Sequence, residues 1–224
     1  MKVLVAKVVG LFVVFALALF LPAGTINWFA AWIFLVLFFS FVVALSLWLI
    51  RHNPGLMKER VYGLRAADRK TWDKVFLMFM NIFFFAWLIL MPLDAVRFQW
   101  SRMPAWLQVV GAVAMLCSFW LFYLTFRENP YLSPAVRIQS DRGQTVVSTG
   151  PYQYVRHPMY SGFALFVLGT ALLLGSRFGL LFGLILIIMA GTRAVLEERT
   201  LREELRGYDV YMTQVKSRLI PHVW

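Results

Sequence analysis

Two segments, GPYQYVRHPMYSG from Gly150 to Gly162 and RAVLEERTL from Arg193 to Leu201, set arginines, a histidine, carboxylates and tyrosines beside long apolar runs. Ionisable groups at the edge of such runs are costly and commonly mark a site. Proline suits the first position of a helix, where its missing N–H costs nothing, and it drives the preceding residue towards extended backbone. The order Arg156-His157-Pro158 therefore predicts a helix starting at Pro158. The unpaired N–H groups of its first turn, with Arg156 and His157 beside them, form a candidate site for a carboxylate or phosphate. The same residues could equally anchor a helix end among lipid headgroups, and on these residues alone both readings stand. Arg193 and Glu197 lie four apart and share one helical face. A surface salt bridge accounts for that pair, but their emergence straight from an apolar run favours a site.

The elements that must hold these residues are membrane spans. The chain has 224 residues, 61% hydrophobic and 15% charged, more apolar sequence than a soluble core of this size needs. Six apolar segments stand out, at about 3–21, 28–50, 75–93, 103–126, 159–176 and 178–196, against roughly 20 residues of helix for one crossing. The expected fold class is all-α, a polytopic membrane bundle of about six transmembrane helices. Residues 1–126 are expected to form a four-span N-terminal bundle, and 127–224 the loop, helical hairpin and tail that carry the site, in one integrated membrane domain.

A net charge of +11 would suggest nucleic acid in a soluble protein, but here its placement follows the membrane. With both termini cytoplasmic, the outer loops hold only Arg97, Arg102 and Arg177 of the 22 Lys and Arg, the asymmetry expected of a multi-pass protein of the cell (inner) membrane. Lys7 can snorkel to the interface. A cleaved leader ending near Pro22-Ala23-Gly24 would spoil this charge pattern, so the first segment is read as a retained span. Cys117, the single cysteine, reads as a small buried side chain, and no disulfide or metal is expected. The connector 51–74 mixes both charges with Tyr62 and Trp72 and suits a strand of chain lying along headgroups, with His52 before a Pro-Gly turn.

Gly175-Ser176-Arg177 is so short that the last two apolar segments must form an antiparallel hairpin, returning Arg193 to the side of His157. Gly179 and Gly183, four apart, allow close helix approach. Gly207 interrupts the last helix, and Tyr208, Tyr211 and Val215 begin an amphipathic piece ending at Pro221 that can fold back as a lid.

These pieces in this order, VVSTGPYQYVRHPMYSG from Val146, RAVLEERTL from Arg193 and GYDVYMTQVKSRLIPHVW from Gly207, resemble the isoprenylcysteine carboxyl methyltransferase family of integral membrane enzymes, which has phospholipid-methylating relatives. The tail looks more like that of bacterial members. The resemblance implies S-adenosyl-L-methionine as cofactor, in a cytoplasmic pocket with no Rossmann unit. This sequence has no strand-GxGxxG-helix pattern either. The cofactor-binding residues implied are Gln139, Gln144, Thr145, Val146, Val147, Tyr152, His157, Pro158, Met159, Tyr160 and Glu197, with Arg193 orienting the substrate. Physically, the Gln144–Val147 backbone could meet adenine edges, and Tyr152 and Tyr160 could pack on apolar or cationic parts. The start of the RHP helix could hold the methionine carboxylate, and Glu197 the ribose hydroxyls or the ammonium.

Methyl transfer is an in-line displacement in which alignment and exclusion of water supply much of the acceleration. A carboxylate acceptor needs no base at neutral pH, whereas an amine must lose a proton, which gives Glu198, Tyr208 or Tyr211 a possible role as base or positioning group. A lipophilic acceptor would enter sideways from the bilayer, and prenylcysteine-like O-methylation of a small amphiphile is the favoured chemistry. Expected partners are membrane lipids and the amphiphilic or lipidated substrate, with no nucleic acid. The alternatives are a phospholipid or amine N-methyltransferase, an NADPH enzyme of the sterol-reductase kind, and a non-catalytic membrane scaffold.

Overall fold

A computed structural model describes residues 2–62 and 70–224. Eight α-helices account for most of them: α1 (Lys2–Ala23), α2 (Phe29–His52), α3 (Pro54–Tyr62), α4 (Thr71–Pro92), α5 (Ala105–Glu128), α6 (Pro158–Leu173), α7 (Arg177–Glu204) and α8 (Tyr208–Gln214). Five of these segments are long and apolar enough to cross a bilayer, namely α1, α2, α4 with its continuation to Arg97, α5 and α7. The remaining expected span, α6, is apolar but only 16 residues long. The chain is a multi-pass membrane bundle, as its composition implied.

The helix starts follow local chemistry. His157 has non-helical backbone (φ −128°, ψ 64°) and Pro158 opens α6, as the RHP order predicted. Pro54 likewise opens α3, where the Asn53 side chain accepts from the Leu56 N–H. The Pro-Gly pair after His52 is thus a first helical turn, and the connector contains a helix that its mixed charge had concealed. Residues 63–69 of that connector lie outside the described residues. Gly207 takes a left-handed conformation (φ 87°) between α7 and α8, as its position suggested.

The core is aromatic. Phe15 stacks on Phe38 with centroids 5.1 Å apart, Phe41 stacks on Phe119 at 4.5 Å, and Trp87, Phe34 and Met115 are fully buried. The heaviest packing joins α5 to α6, whose backbones touch: a Cβ on Gly111 would stand 2.6 Å from the Gly169 carbonyl oxygen. The small pair on α7 works the same way, since a Cβ on Gly179 would meet Met91 at 2.6 Å and one on Gly183 would meet Val167 at 2.7 Å.

The α6–α7 hairpin forms as its short turn required and is clamped from α4. Pro92 leads into a π-helical turn, Leu93–Arg97, which carries Asp94. Asp94, fully buried, accepts from the Ser101 hydroxyl (2.8 Å), the Ser176 hydroxyl and the Phe178 N–H, closing the N-terminus of α7. The opposite end of the hairpin carries the charged segments.

Candidate functional site

At that end a cleft of about 230 Å³ is bounded by the loop between α5 and α6, the start of α6, the polar end of α7, α8 and Arg60 of α3. The loop is held from beneath. Gln139, 1% exposed, donates to the Tyr131 carbonyl and receives from the Arg142 guanidinium, while its N–H donates to the Gln144 side chain at 2.7 Å. Arg137 grips Glu59 of α3 through Nε and Nη2, and that contact holds the Glu59 carboxyl below its ordinary range. Asn129 donates to the Tyr152 hydroxyl at 2.8 Å.

A chain of four polar side chains links α4, α6 and α7 to the loop, and three of them, Arg193, Tyr160 and Glu197, line the cleft. Asp73, fully buried near the start of α4, takes the Arg193 guanidinium on one oxygen, at 3.0 Å from Nε and 2.8 Å from Nη2, and the Val136 N–H on the other. Arg193 also donates to the Pro134 carbonyl and, at 2.8 Å, to the Tyr160 hydroxyl. Tyr160 in turn donates to Glu197 at 2.7 Å. Arg193 and Glu197 therefore communicate through Tyr160, and the carboxylate that fixes Arg193 comes from 120 residues away. The direct Arg193–Glu197 pair that their spacing suggested gives way to this relay, because one oxygen of the buried Asp73 takes both Nε and Nη2 of Arg193.

Glu198, the next residue, faces elsewhere. It is 2% exposed and accepts from Arg156 Nε at 2.6 Å and Arg218 Nε at 2.8 Å, with His157 Nε2 at 3.2 Å. Arg156 also donates to the Val215 and Lys216 carbonyls, and the N–H groups of Arg156 and His157 bond to the Ser217 and Arg218 carbonyls. One carboxylate thus ties the RHP segment to the C-terminal tail. The tail folds back as the sequence suggested, and the Tyr211 hydroxyl donates to the Tyr152 carbonyl at 2.7 Å. Arg156, read from sequence as half of an anion site, is committed to this tether.

Of the expected cofactor residues, Gln144, Thr145, Val146, Val147, Tyr152, His157, Met159, Tyr160 and Glu197 line the cleft, together with Arg193, Tyr208 and Tyr211. Gln139 supports the loop without lining it, Pro158 is buried at the helix start, and Glu198 lies outside the lining in its tether. That ligation gives Glu198 a structural task, with its carboxylate shared by three donors. Burial pushes the phenols of Tyr152, Tyr208 and Tyr211 well above the ordinary tyrosine value, so they stay protonated at neutral pH. The Tyr208 hydroxyl is buried and has no partner among the described residues. Sequence reasoning missed Asp73, whose signal was a lone acid at the start of an apolar run, and Arg60, which its connector concealed.

Residues 106–206 match the model of the phospholipid methyltransferase family. A stretch of 87 residues is 40% identical to the protein-S-isoprenylcysteine O-methyltransferase of Schizosaccharomyces pombe, covering 38% of this chain. The chain matches 37% of the length of that relative.

Proposed function

From a chain whose C-terminal half is related to the isoprenylcysteine and phospholipid methyltransferases, we propose an integral membrane methyltransferase that uses S-adenosylmethionine and acts on a lipophilic acceptor. The observation that carries this reading is a convergence in one cleft. The Gln144–Val147 loop, Tyr152, Met159 and Tyr160 of α6, and Glu197 of α7 all line it, and all lie within the segment matched by the family model.

The residues present fit such a cofactor. Tyrosine rings and Val146 and Val147 offer apolar walls for an aromatic base, Glu197 offers a carboxylate for a cationic or hydroxyl group, and the Tyr208 hydroxyl lacks a partner that a bound ligand would supply. When bound, the group supplies an electrophilic methyl on a positively charged sulfur. The protein's part is to align and to exclude water. Asp73 and Tyr160 hold the Arg193 guanidinium, leaving it set to orient an acceptor, and the Glu198 tether keeps α8 over the cleft. The reading puts the cleft on the cytoplasmic face of the cell membrane, with both termini on that side, as the basic residues favour.

The test is calorimetric titration of the detergent-purified chain with S-adenosylhomocysteine and, separately, with NADPH. Saturable binding of the first and none of the second is expected. NADPH binding without S-adenosylhomocysteine binding would replace this reading with a reductase, and binding of neither would favour a scaffold. Glu197→Ala is expected to weaken S-adenosylhomocysteine binding, whereas Arg193→Ala chiefly lowers methyl transfer.

A further inference from the structure

Asn129 sits where α5 ends, and it decides which way one hydroxyl of the cleft points. Its own N–H bonds to the Thr125 carbonyl, and Pro130 after it keeps its backbone extended (φ −109°, ψ 100°). A 3₁₀ turn, Gly150–Gln153, packs against this helix end, and just before it the Thr149 hydroxyl donates to Glu128 at 2.7 Å. That turn carries Tyr152. The Asn129 carboxamide is fixed between two partners. Its Oδ1 accepts from the Tyr131 N–H at 2.8 Å, so Nδ2 is the atom that faces the Tyr152 hydroxyl, again at 2.8 Å. The phenol oxygen is therefore the acceptor in that bond. A phenol has one proton to give, and the Tyr152 proton has no acceptor among the described residues. Burial holds the group protonated at neutral pH, against the opposing pull of the Asn129 amide.

Tyr152 lines the cleft in an apolar cluster with Leu205, Tyr208 and Tyr211, against Val146 and Val147. A flat apolar group entering here meets an O–H already turned away from Asn129. Adenine suits such a donor, because its unprotonated ring nitrogens are acceptors in the plane of the base. Resting on the methyltransferase reading, we infer that Asn129 is a positioning residue for the cofactor, one that fixes the Tyr152 hydroxyl as a donor to a ring nitrogen of the adenine. Asn129 sets the polarity of that hydroxyl as well as its place. Asn129→Asp keeps the size and shape of the side chain and still accepts from the Tyr131 N–H. Its second oxygen, however, accepts where Nδ2 donates. The Tyr152 proton then turns to the carboxylate, and the cleft is left facing a lone pair, which repels a ring nitrogen.

The experiment is calorimetric titration of the detergent-purified full chain with S-adenosylhomocysteine and with its 1-deaza, 3-deaza and 7-deaza analogues, each of which replaces one ring nitrogen by C–H. Wild type should bind at least one analogue about two- to tenfold more weakly than the parent, the range of one neutral hydrogen bond. Tyr152→Phe and Asn129→Asp should weaken the parent by a similar factor and bind that analogue at least as well as the parent, since the lost contacts are one and the same. Asn129→Asp would preserve a mere brace, so unchanged affinity and unchanged discrimination in that variant overturn the inference. Equal binding of all four ligands to wild type, or discrimination that survives in Tyr152→Phe, does the same. Should Asn129→Asp fail to fold, Asn129→Ala replaces it: the freed hydroxyl should lose part of the discrimination, and full discrimination overturns the inference. Failure of wild type to bind S-adenosylhomocysteine would instead overturn the reading on which it rests.

Discussion

Glu198 offers the sharpest test of how the cleft is built, because two substitutions separate a tether from a base. Glu198→Ala removes the carboxylate that Arg156, His157 and Arg218 share. Removing one partner of a buried ion pair costs about 3–5 kcal/mol. The lower end applies here, since Arg156 keeps the Val215 and Lys216 carbonyls. Arg218, its side chain 31% exposed, adds little because solvent screens it. The expected loss is therefore about 3 kcal/mol. Glu198→Gln keeps one acceptor oxygen, for Arg156, and loses the charge. That turns the bond from one worth about 1.5–3 kcal/mol into one worth about 0.5–1.5, while the partly exposed Arg218 is left to solvent, a net loss of about 1–2 kcal/mol. Unfolding in mixed micelles, titrated with dodecyl sulfate and followed by tryptophan fluorescence, measures both. S-adenosylhomocysteine affinity should fall in the same order, at least tenfold for Ala, as the tail and α8 loosen. The opposite pattern, methyl transfer abolished by Glu198→Gln with stability and affinity unchanged, would refute the tether and restore a base.

Three further outcomes follow from the same geometry. Asp73→Ala should cost about 3–5 kcal/mol of stability in the same micelle titration and lower kcat more than it weakens S-adenosylhomocysteine binding, because Arg193 loses its orientation. Tyr208→Phe should leave stability unchanged or slightly raised, since it removes an unpartnered buried hydroxyl, while calorimetry shows a two- to tenfold weaker cofactor complex, about 0.5–1.5 kcal/mol. Because the folded-state values of Tyr152, Tyr208 and Tyr211 are raised, their contribution to stability is complete below the ordinary tyrosine value of about 10 and is lost as pH rises beyond it; denaturation midpoints across pH 7–11 check this.

What the sequence revealed was local. Pro158, after the extended His157, announces a helix start, and the three-residue turn at Gly175 leaves a hairpin no other path, so the meeting of the RHP segment with the end of α7 could be read directly. Gly179 and Gly183 likewise carry their spacing on the surface. The identities of partners could not be read this way. Arg193 has a carboxylate four residues on and takes one 120 residues away, because burial rewards the partner whose approach is unobstructed. Glu197 and Glu198 are adjacent and chemically alike, yet a step of about 100° around the helix sends one into the cleft and the other into the tail. The α3 helix was obscured for a different reason: its outward charges belong to a helix that rests on the loop between α5 and α6 through Glu59 and Arg60, and mixed charge resembles a solvated linker until that contact is seen.

The brevity of α6 has a consequence for where the proposed chemistry takes place. Sixteen residues rise about 24 Å at 1.5 Å each, roughly 6 Å less than the hydrocarbon layer of about 30 Å. The Gly175 turn is pinned by Asp94 and flanked by the exposed aromatic rings of Trp100 and Phe178, side chains suited to an interface, so with that end set at the far interface the shortfall is felt at the Pro158 end. On the proposed membrane placement, the floor of the cleft then sits below the headgroup plane, sunk into the acyl region. If the proposed methyltransferase reading holds, an acceptor still dissolved in the bilayer can present its reactive atom there with its tail undisturbed, and the membrane itself becomes the near wall of the reaction chamber.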